Sequence, residues 1–91
     1  MAAQRGNMAC ALYQSAFSGE VVFEVKTSGG QSYEGIAPRH YAEPADDLSD
    51  APTHGHLSVR VIRNGGGSAR VRMPDGETID VPANTITEAT K

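Results

Sequence analysis

The chain has 91 residues and a net charge of −3 at pH 7, which fits one small domain with a modest core and gives no overall basic field for nucleic acid or an anionic membrane surface. Its single cysteine excludes an internal disulfide, so we expect a cytoplasmic protein rather than a secreted, disulfide-stapled one. The 10 glycines and the absence of tryptophan suit a small sheet protein with glycine turns.

The N-terminal segment shows no clear period. Residues 1–7 lack apolar periodicity, and between Met8 and Phe17 a short strand and a single helical turn both remain open. The run "MACALY" is too short for the core of a signal peptide or for a bilayer span. We predict a flexible or weakly ordered segment over residues 1–17, with Cys10 a buried or incidental thiol, followed by a single small β-barrel domain over residues 18–91.

A hairpin follows. The stretch "EVVFEVKT" alternates, with Val21, Phe23 and Val25 on one face, and "SGG" permits the positive φ angles of a tight turn into "QSYEGI". Gly35 inside the return strand indicates a bulge or a close backbone approach.

Residues 37–55, "APRHYAEPADDLSDAPTHG", contain three prolines and four acidic residues, and we predict a long acidic loop. Its middle, residues 43–53, is expected to be a mobile tether. The spacing of its carboxylates does not fit a calcium loop.

A three-stranded meander over "HLSVRVIRN", "SARVRM" and "TIDV" is joined by the turns "NGGG" and "PDGE". Leu57, Val59 and Val61 are expected to face the core, and Ile62 to face outward.

The closing stretch "VPANTITEA" resembles the end of SH3-like small barrels, where a 3₁₀ turn joins the last two strands. The resemblance implies an all-β fold, a five- to six-stranded SH3-like barrel with a short terminal 3₁₀ turn. The aromatic groove of signalling SH3 domains has no counterpart, so proline-rich peptide recognition is not implied. Several short alternating strands favour a barrel or sandwich independently.

The strongest charge feature is a set of arginines on one predicted hairpin: Arg60, Arg63, Arg70 and Arg72. Residues 56–73 contain no acid, and like charges on neighbouring strands destabilise a sheet unless something neutralises them. Asp80 and Glu77 are the nearest candidates for that role. The alternative is an anion or nucleic-acid site, since the guanidinium fork matches phosphate oxygens.

A second set of candidates lies where the first hairpin ends: Tyr33, Arg39, His40 and Tyr41. They form either a structural corner, with the two tyrosine rings buried, or a ligand contact at the barrel mouth. In the second case Arg60 or Arg72 would be the anion contact and His56 would lie at the rim of the pocket.

His40, His54 and His56 do not complete a metal site, because no fourth ligand or supporting partner can be identified. We predict no metal, no cofactor and no catalytic residue.

The preferred hypothesis is a non-catalytic, self-associating interaction module, with Val22, Ile62 and "MACALY" exposed to a partner chain, and with another protein or a small anion as further possible partners. Nucleic acid is possible but not favoured, and no membrane partner is expected. In size the chain resembles short orphan bacterial proteins encoded on mobile gene cassettes.

An enzyme alternative comes from a resemblance to the plasmid-borne dihydrofolate reductases, tetramers of SH3-like barrels. Size, strand order and closing turn are similar. That family's valine-glutamine-isoleucine-tyrosine signature is absent, and "TIDV" stands in its place.

Overall fold

The structure, a computed structural model, describes residues 4–88. The strands are β1 (Gln4–Gln14), β2 (Glu20–Lys26), β3 (Ser32–Pro38), β4 (Ala42–Glu43), β5 (Thr53–Gly65), β6 (Ser68–Arg72), β7 (Thr78–Pro82) and β8 (Ile86–Glu88). Two 3₁₀ turns, Arg39–Tyr41 and Ala83–Thr85, follow β3 and β7. All eight strands belong to one strongly curled sheet, so the all-β prediction is confirmed, with more strands than the five or six expected. Within residues 4–88 there is no helix with the length and apolar character needed to cross a membrane.

The two long strands lie at the centre of the sheet. The order is β3-β2-β1-β5-β6-β7, with β4 added to β5 and β8 added to β1. The prediction of a flexible or weakly ordered segment over residues 1–17, with a domain beginning at residue 18, is therefore wrong over Gln4–Gln14. That strand pairs with β2, β5 and β8.

The composition of β1 explains this error. Met8, Cys10 and Leu12 point into the core, but the residues between them on the outer face include Ala9 and Ala11, which are also apolar. Apolar residues on both faces conceal a period of two. The expectation that "MACALY" is exposed to a partner is wrong for Met8, Cys10 and Leu12, which are buried.

The irregular segment within the predicted loop over residues 37–55 is much shorter than expected. β3 continues to Pro38, the first 3₁₀ turn and β4 occupy residues 39–43, and β5 begins at Thr53. Pro38 is tolerated because β3 is an edge strand of the main sheet path, where a missing N–H does not interrupt the ladder. Within residues 37–55, only residues 44–52 lack regular structure.

The second half of the chain repeats the first. Each half contains a long strand, two antiparallel neighbours, a 3₁₀ turn that follows a proline, and a short strand. Met8 of β1 pairs with Leu57 of β5. On its other side Met8 pairs with Ile86 of β8, and in the same way Leu57 pairs with Ala42 of β4. A pseudo-twofold axis therefore passes between Met8 and Leu57.

The core follows this pseudosymmetry, since each buried apolar residue in one half has a buried counterpart in the other. In chain order, those of the first half are Met8, Cys10, Leu12, Val21, Phe23, Val25, Ala37 and Ala42. Their counterparts in the same order are Leu57, Val59, Val61, Ala69, Val71, Met73, Val81 and Ile86.

The hairpin turn of each half contacts the outermost strand of the other half. The Ser28 N–H in the β2–β3 turn donates to the Asp80 carbonyl of β7 over 2.8 Å. The Tyr33 hydroxyl of β3 donates to Oδ2 of Asp75 in the β6–β7 turn over 2.6 Å. These contacts cover the two edges and complete the curled shape.

Candidate anion-binding site

Three arginines from three neighbouring strands form a row across the outer face of the sheet. Arg5 of β1 pairs directly with Arg60 of β5, and Arg60 pairs directly with Arg72 of β6. All three side chains are exposed. Directly opposed residues have Cβ atoms about 4.5–5.5 Å apart, so the three cations share one stripe of surface.

The row borders a cleft of about 290 Å³. The cleft is lined by Arg5, Tyr41, Ser58, Val59, Arg60, Arg72, Met73, Pro74 and Gly76. None of these residues is acidic, and we refer to this surface as the arginine cleft.

Tyr41 supports the Arg5 end of the arginine cleft. Cζ of Arg5 lies 5.7 Å from the centroid of the Tyr41 ring, within the range of a cation–π interaction. The ring also contacts His40, with centroids 4.5 Å apart. Tyr41 itself packs against the core, so it gives Arg5 a rigid support.

Within residues 4–88, none of the three arginines forms an ion pair or a hydrogen bond with another side chain. Arg70 of the same hairpin differs, because its Nε and an Nη lie 2.9 and 3.2 Å from the two carboxylate oxygens of Asp80. This bidentate pair holds the pKa of Asp80 below its usual value and raises that of Arg70. Asp80, one of the two acids predicted to neutralise the hairpin, does so for Arg70.

Arg63 lies beside that pair rather than in the arginine cleft. It is opposite Arg70 in the ladder, and its charge also contributes to lowering the pKa of Asp80. The four predicted arginines therefore divide into two that line the cleft, Arg60 and Arg72, and two that lie near Asp80.

The structure does not bring the four corner candidates together. Tyr33 is bound to Asp75, and burial, together with that hydrogen bond, raises the pKa of its hydroxyl. Arg39 turns back to the irregular segment, where it contacts the Ala45 carbonyl and the Asp46 carboxylate. His40 is exposed, and of the four only Tyr41 lines the arginine cleft.

Gly35 was predicted to mark either a bulge or a close backbone approach, and the second is found. The β2–β3 register runs without a shift through Gly35, so there is no bulge at that position. A Cβ there would lie 2.8 Å from both Oδ2 of Asp75 and Cζ of Phe23, which makes this a site of close approach. The bulge lies instead between Val61 and Arg63 in β5.

The internal repeat provides a comparison for the arginine row. The positions equivalent to Arg5, Arg60 and Arg72 are occupied by His54, Ala11 and Glu24, which form the corresponding row. The position equivalent to Tyr41 is Thr85. Because the same backbone arrangement forms in the first half without these cations, the fold does not require them.

Arg5 was not predicted to belong to any site. The signal that would have found it is the match between "RGNMACALY" and "HGHLSVRVI", which aligns Gly6 with Gly55 and the buried positions of β1 with those of β5. Both glycines are buried, and both lie where a long strand meets a short one.

Among the described residues, neither the histidines nor Cys10 forms a comparable site. The rings of His54 and His56 are 6.3 Å apart, and the described part of the chain contains no group of three or more potential ligands that could hold a metal ion. Burial raises the pKa of the Cys10 thiol to about 12, so this thiol stays protonated at neutral pH.

The chemistry of the arginine cleft is therefore that of binding. Guanidinium groups donate hydrogen bonds to carboxylate or phosphate oxygens, and they stay protonated near neutral pH, so they do not act as general bases. Comparison with known proteins gives no family to which the site can be assigned: no family model, no curated protein and no solved structure matches this chain.

Proposed function

We propose that the protein is a non-catalytic binding module that holds an anionic group, phosphate or carboxylate, between Arg5, Arg60 and Arg72. One observation carries this proposal: the three arginines stand in register without an acidic partner among residues 4–88, whereas the equivalent row of the other half contains no arginine.

The arginine row destabilises the free protein and stabilises the complex with an anion. Directly opposed like charges destabilise a sheet by a fraction of a kcal/mol per pair, roughly 0.2–1 kcal/mol. An anion in the arginine cleft removes that repulsion and accepts charge-assisted hydrogen bonds, which contribute about 1.5–3 kcal/mol each. Tyr41 lowers the entropic cost by restricting Arg5 before binding.

The same geometry favours recognition of the anionic group over stacking of a nucleic-acid base. Among the described residues that line the cleft, Tyr41 is the one aromatic residue, and its ring already contacts Arg5 and His40. Binding of single strands usually combines a basic groove with free aromatic platforms.

We also propose that each half, completed by the long strand of the other, is an SH3-like barrel. The order β8-β1-β5-β6-β7 and its counterpart β4-β5-β1-β2-β3 support this proposal, as does the 3₁₀ turn before each short strand. β1 and β5 then belong to both barrels.

The proposed function is tested by titrating the protein with inorganic pyrophosphate and following the Arg side-chain and Tyr41 backbone signals by NMR. We expect the double variant Arg60→Ala, Arg72→Ala to bind at least about tenfold more weakly, since each lost charge-assisted contact contributes more than about 1.4 kcal/mol. The wild-type affinity should fall as sodium chloride is raised.

Arg70→Ala is the control. It removes one positive charge from the same hairpin, against two in the double variant, and the side chain removed is paired with Asp80 outside the cleft. Equal weakening by Arg70→Ala would show a general charge effect, and unchanged binding in the double variant would exclude the arginine cleft as the site.

A further inference from the structure

The outer face of the first half combines an apolar depression with carboxylates. Val22 and Ile36 pair directly, and with Glu34 and Gly35 they line a depression of about 380 Å³. Ile36 is 49% exposed, whereas Val22, which was expected to be exposed, is half-buried. Glu24 lies opposite Glu34 in the ladder. We call this surface, made of Val22, Glu24, Glu34, Gly35 and Ile36, the acidic face.

The outer face of the second half has the reverse charge. Ile62, the residue inserted at the β5 bulge, is 45% exposed and projects from a surface of arginines. We call this surface, made of Arg60, Ile62, Arg63, Arg70 and Arg72, the basic face. Its one described acidic neighbour in the β6–β7 ladder is Asp80, which is paired with Arg70.

The pseudo-twofold axis relates these two faces. Glu24 is the counterpart of Arg72, and the apolar pair Val22–Ile36 is the counterpart of the ion pair Arg70–Asp80. One pair of equivalent backbone positions, Glu24 and Arg72, thus carries opposite charges, and each face leaves one isoleucine uncovered. Core packing does not explain this difference, because these side chains point away from the core.

We propose that the acidic face of one copy docks on the basic face of a second copy, with Ile62 inserted into the depression lined by Val22, Gly35 and Ile36. Glu24 and Glu34 then lie against Arg60 and Arg72, which supplies the carboxylates that the basic face lacks. The inference rests on the proposed function only in that Arg60 and Arg72 take part in both.

The contact is heterologous, because two different surfaces of the same chain meet. The docked pair still presents a free basic face on one copy and a free acidic face on the other. Association therefore continues beyond the dimer unless the ring closes, and it weakens with added salt because the charges around the isoleucines are exposed.

A second copy is the occupant that the molecule itself favours, since one chain carries both complementary surfaces. A foreign protein would contact only one of the two surfaces, so it would not account for their complementarity to each other. If wild-type protein stays monomeric at high concentration while an unrelated protein binds one face, the present inference is overturned.

The test is charge-swap complementation measured by sedimentation velocity. One variant, Glu24→Arg with Glu34→Arg, carries two basic faces, and another, Arg60→Glu with Arg72→Glu, carries two acidic faces. We expect the wild type to show a concentration-dependent mass that falls with salt, each variant alone to be monomeric, and the equimolar mixture to associate. A mixture that remains monomeric while the wild type associates overturns the proposed contact.

Ile62→Ala provides a second arm that does not depend on charge reversal. Ile62 is an exposed bulge residue, so the substitution should leave the far-ultraviolet circular dichroism spectrum unchanged while weakening association at least tenfold. Unweakened association of a folded Ile62→Ala protein contradicts the docking of this side chain.

Pyrophosphate titration separates the two proposals. The Glu24→Arg, Glu34→Arg variant keeps the arginine cleft, so it should bind pyrophosphate although it no longer associates alone. A monomeric wild type that binds pyrophosphate overturns this inference and leaves the proposed function intact. Association without pyrophosphate binding overturns the proposed function alone.

Discussion

At the scale of single residues, two glycines set the distance between the long and short strands. A Cβ at Gly55 would lie 2.5 Å from the Glu43 carbonyl oxygen and 2.7 Å from Cδ1 of Leu12. At the equivalent Gly6, the nearest atom would be Cγ2 of Val61, at 2.9 Å. Both positions therefore need a residue without a side chain, and the first is obstructed by backbone, which cannot move aside as a side chain can.

We expect Gly55→Ala to destabilise the protein by about 1–3 kcal/mol, the range found when extra carbon atoms are forced into a packed interior. Gly6→Ala should cost less, because its nearest neighbour is a side-chain methyl group. Urea denaturation of the two variants measures both effects.

Gly19→Ala is the control for these two substitutions, because a Cβ at Gly19 meets no atom within 4 Å. Its effect should be small. If Gly19→Ala and Gly55→Ala change the free energy of unfolding equally, the close contact does not explain the glycine at position 55.

At the scale of elements, β1 contributes more strand pairing and more buried side chains than its sequence pattern indicates. Met8 is fully buried and lies beside the pseudo-twofold axis, opposite the equally buried Leu57. β1 also pairs with β2, β5 and β8, so its removal would take one neighbour from each of these three strands and leave β8 with none.

We therefore expect Met8→Ala to cost about 2–5 kcal/mol of stability, in the same range as Leu57→Ala, because each leaves a cavity in the core. Asn7→Ala, on the exposed face of the same strand, should change stability by less than about 0.5 kcal/mol. Thermal or urea unfolding checks all three. A negligible effect of Met8→Ala would show that β1 does not contribute to the core in solution.

The contrast between β1 and β5 shows which elements are predictable from sequence. In β5 the buried Leu57, Val59 and Val61 alternate with Ser58 and Arg60, so the period is visible. In β1 the outward alanines remove the polar half of the signal. A strand is found from its sequence when its exposed face is polar, and not when both faces are apolar.

The candidate site was predictable to the same limited extent. Arg60 and Arg72 lie on one predicted hairpin, so they were expected to lie near each other. Their direct pairing depends on the bulge at Ile62, which the turn does not specify. Arg5 and Tyr41 reach the cleft through pairings between distant parts of the chain, which local patterns do not specify. The pairing of Arg39 with Asp46 likewise depends on how the irregular segment folds back.

At the scale of the whole molecule, the repeat makes the two halves depend on each other. β4 of the first half pairs with β5, and β8 of the second half pairs with β1. The buried residues of the two long strands face each other across the pseudo-twofold axis, so neither half has a complete set of strand partners or a complete core. Burial within one half alone is too small to offset its conformational entropy.

We therefore expect fragments 1–46 and 47–91, separated within the exposed pair Asp46–Asp47, to be unfolded as separate monomers and to fold when mixed. The cut leaves every strand intact, and Asp46 stays with its partner Arg39. Circular dichroism and backbone NMR spectra of the separate fragments should show disordered chains, and the equimolar mixture should reproduce the spectrum of the intact protein. Sedimentation identifies any fragment that folds by pairing with itself, which the pseudosymmetry permits. A fragment that is folded while monomeric would show that each half is an independent domain, and it would contradict the shared use of β1 and β5.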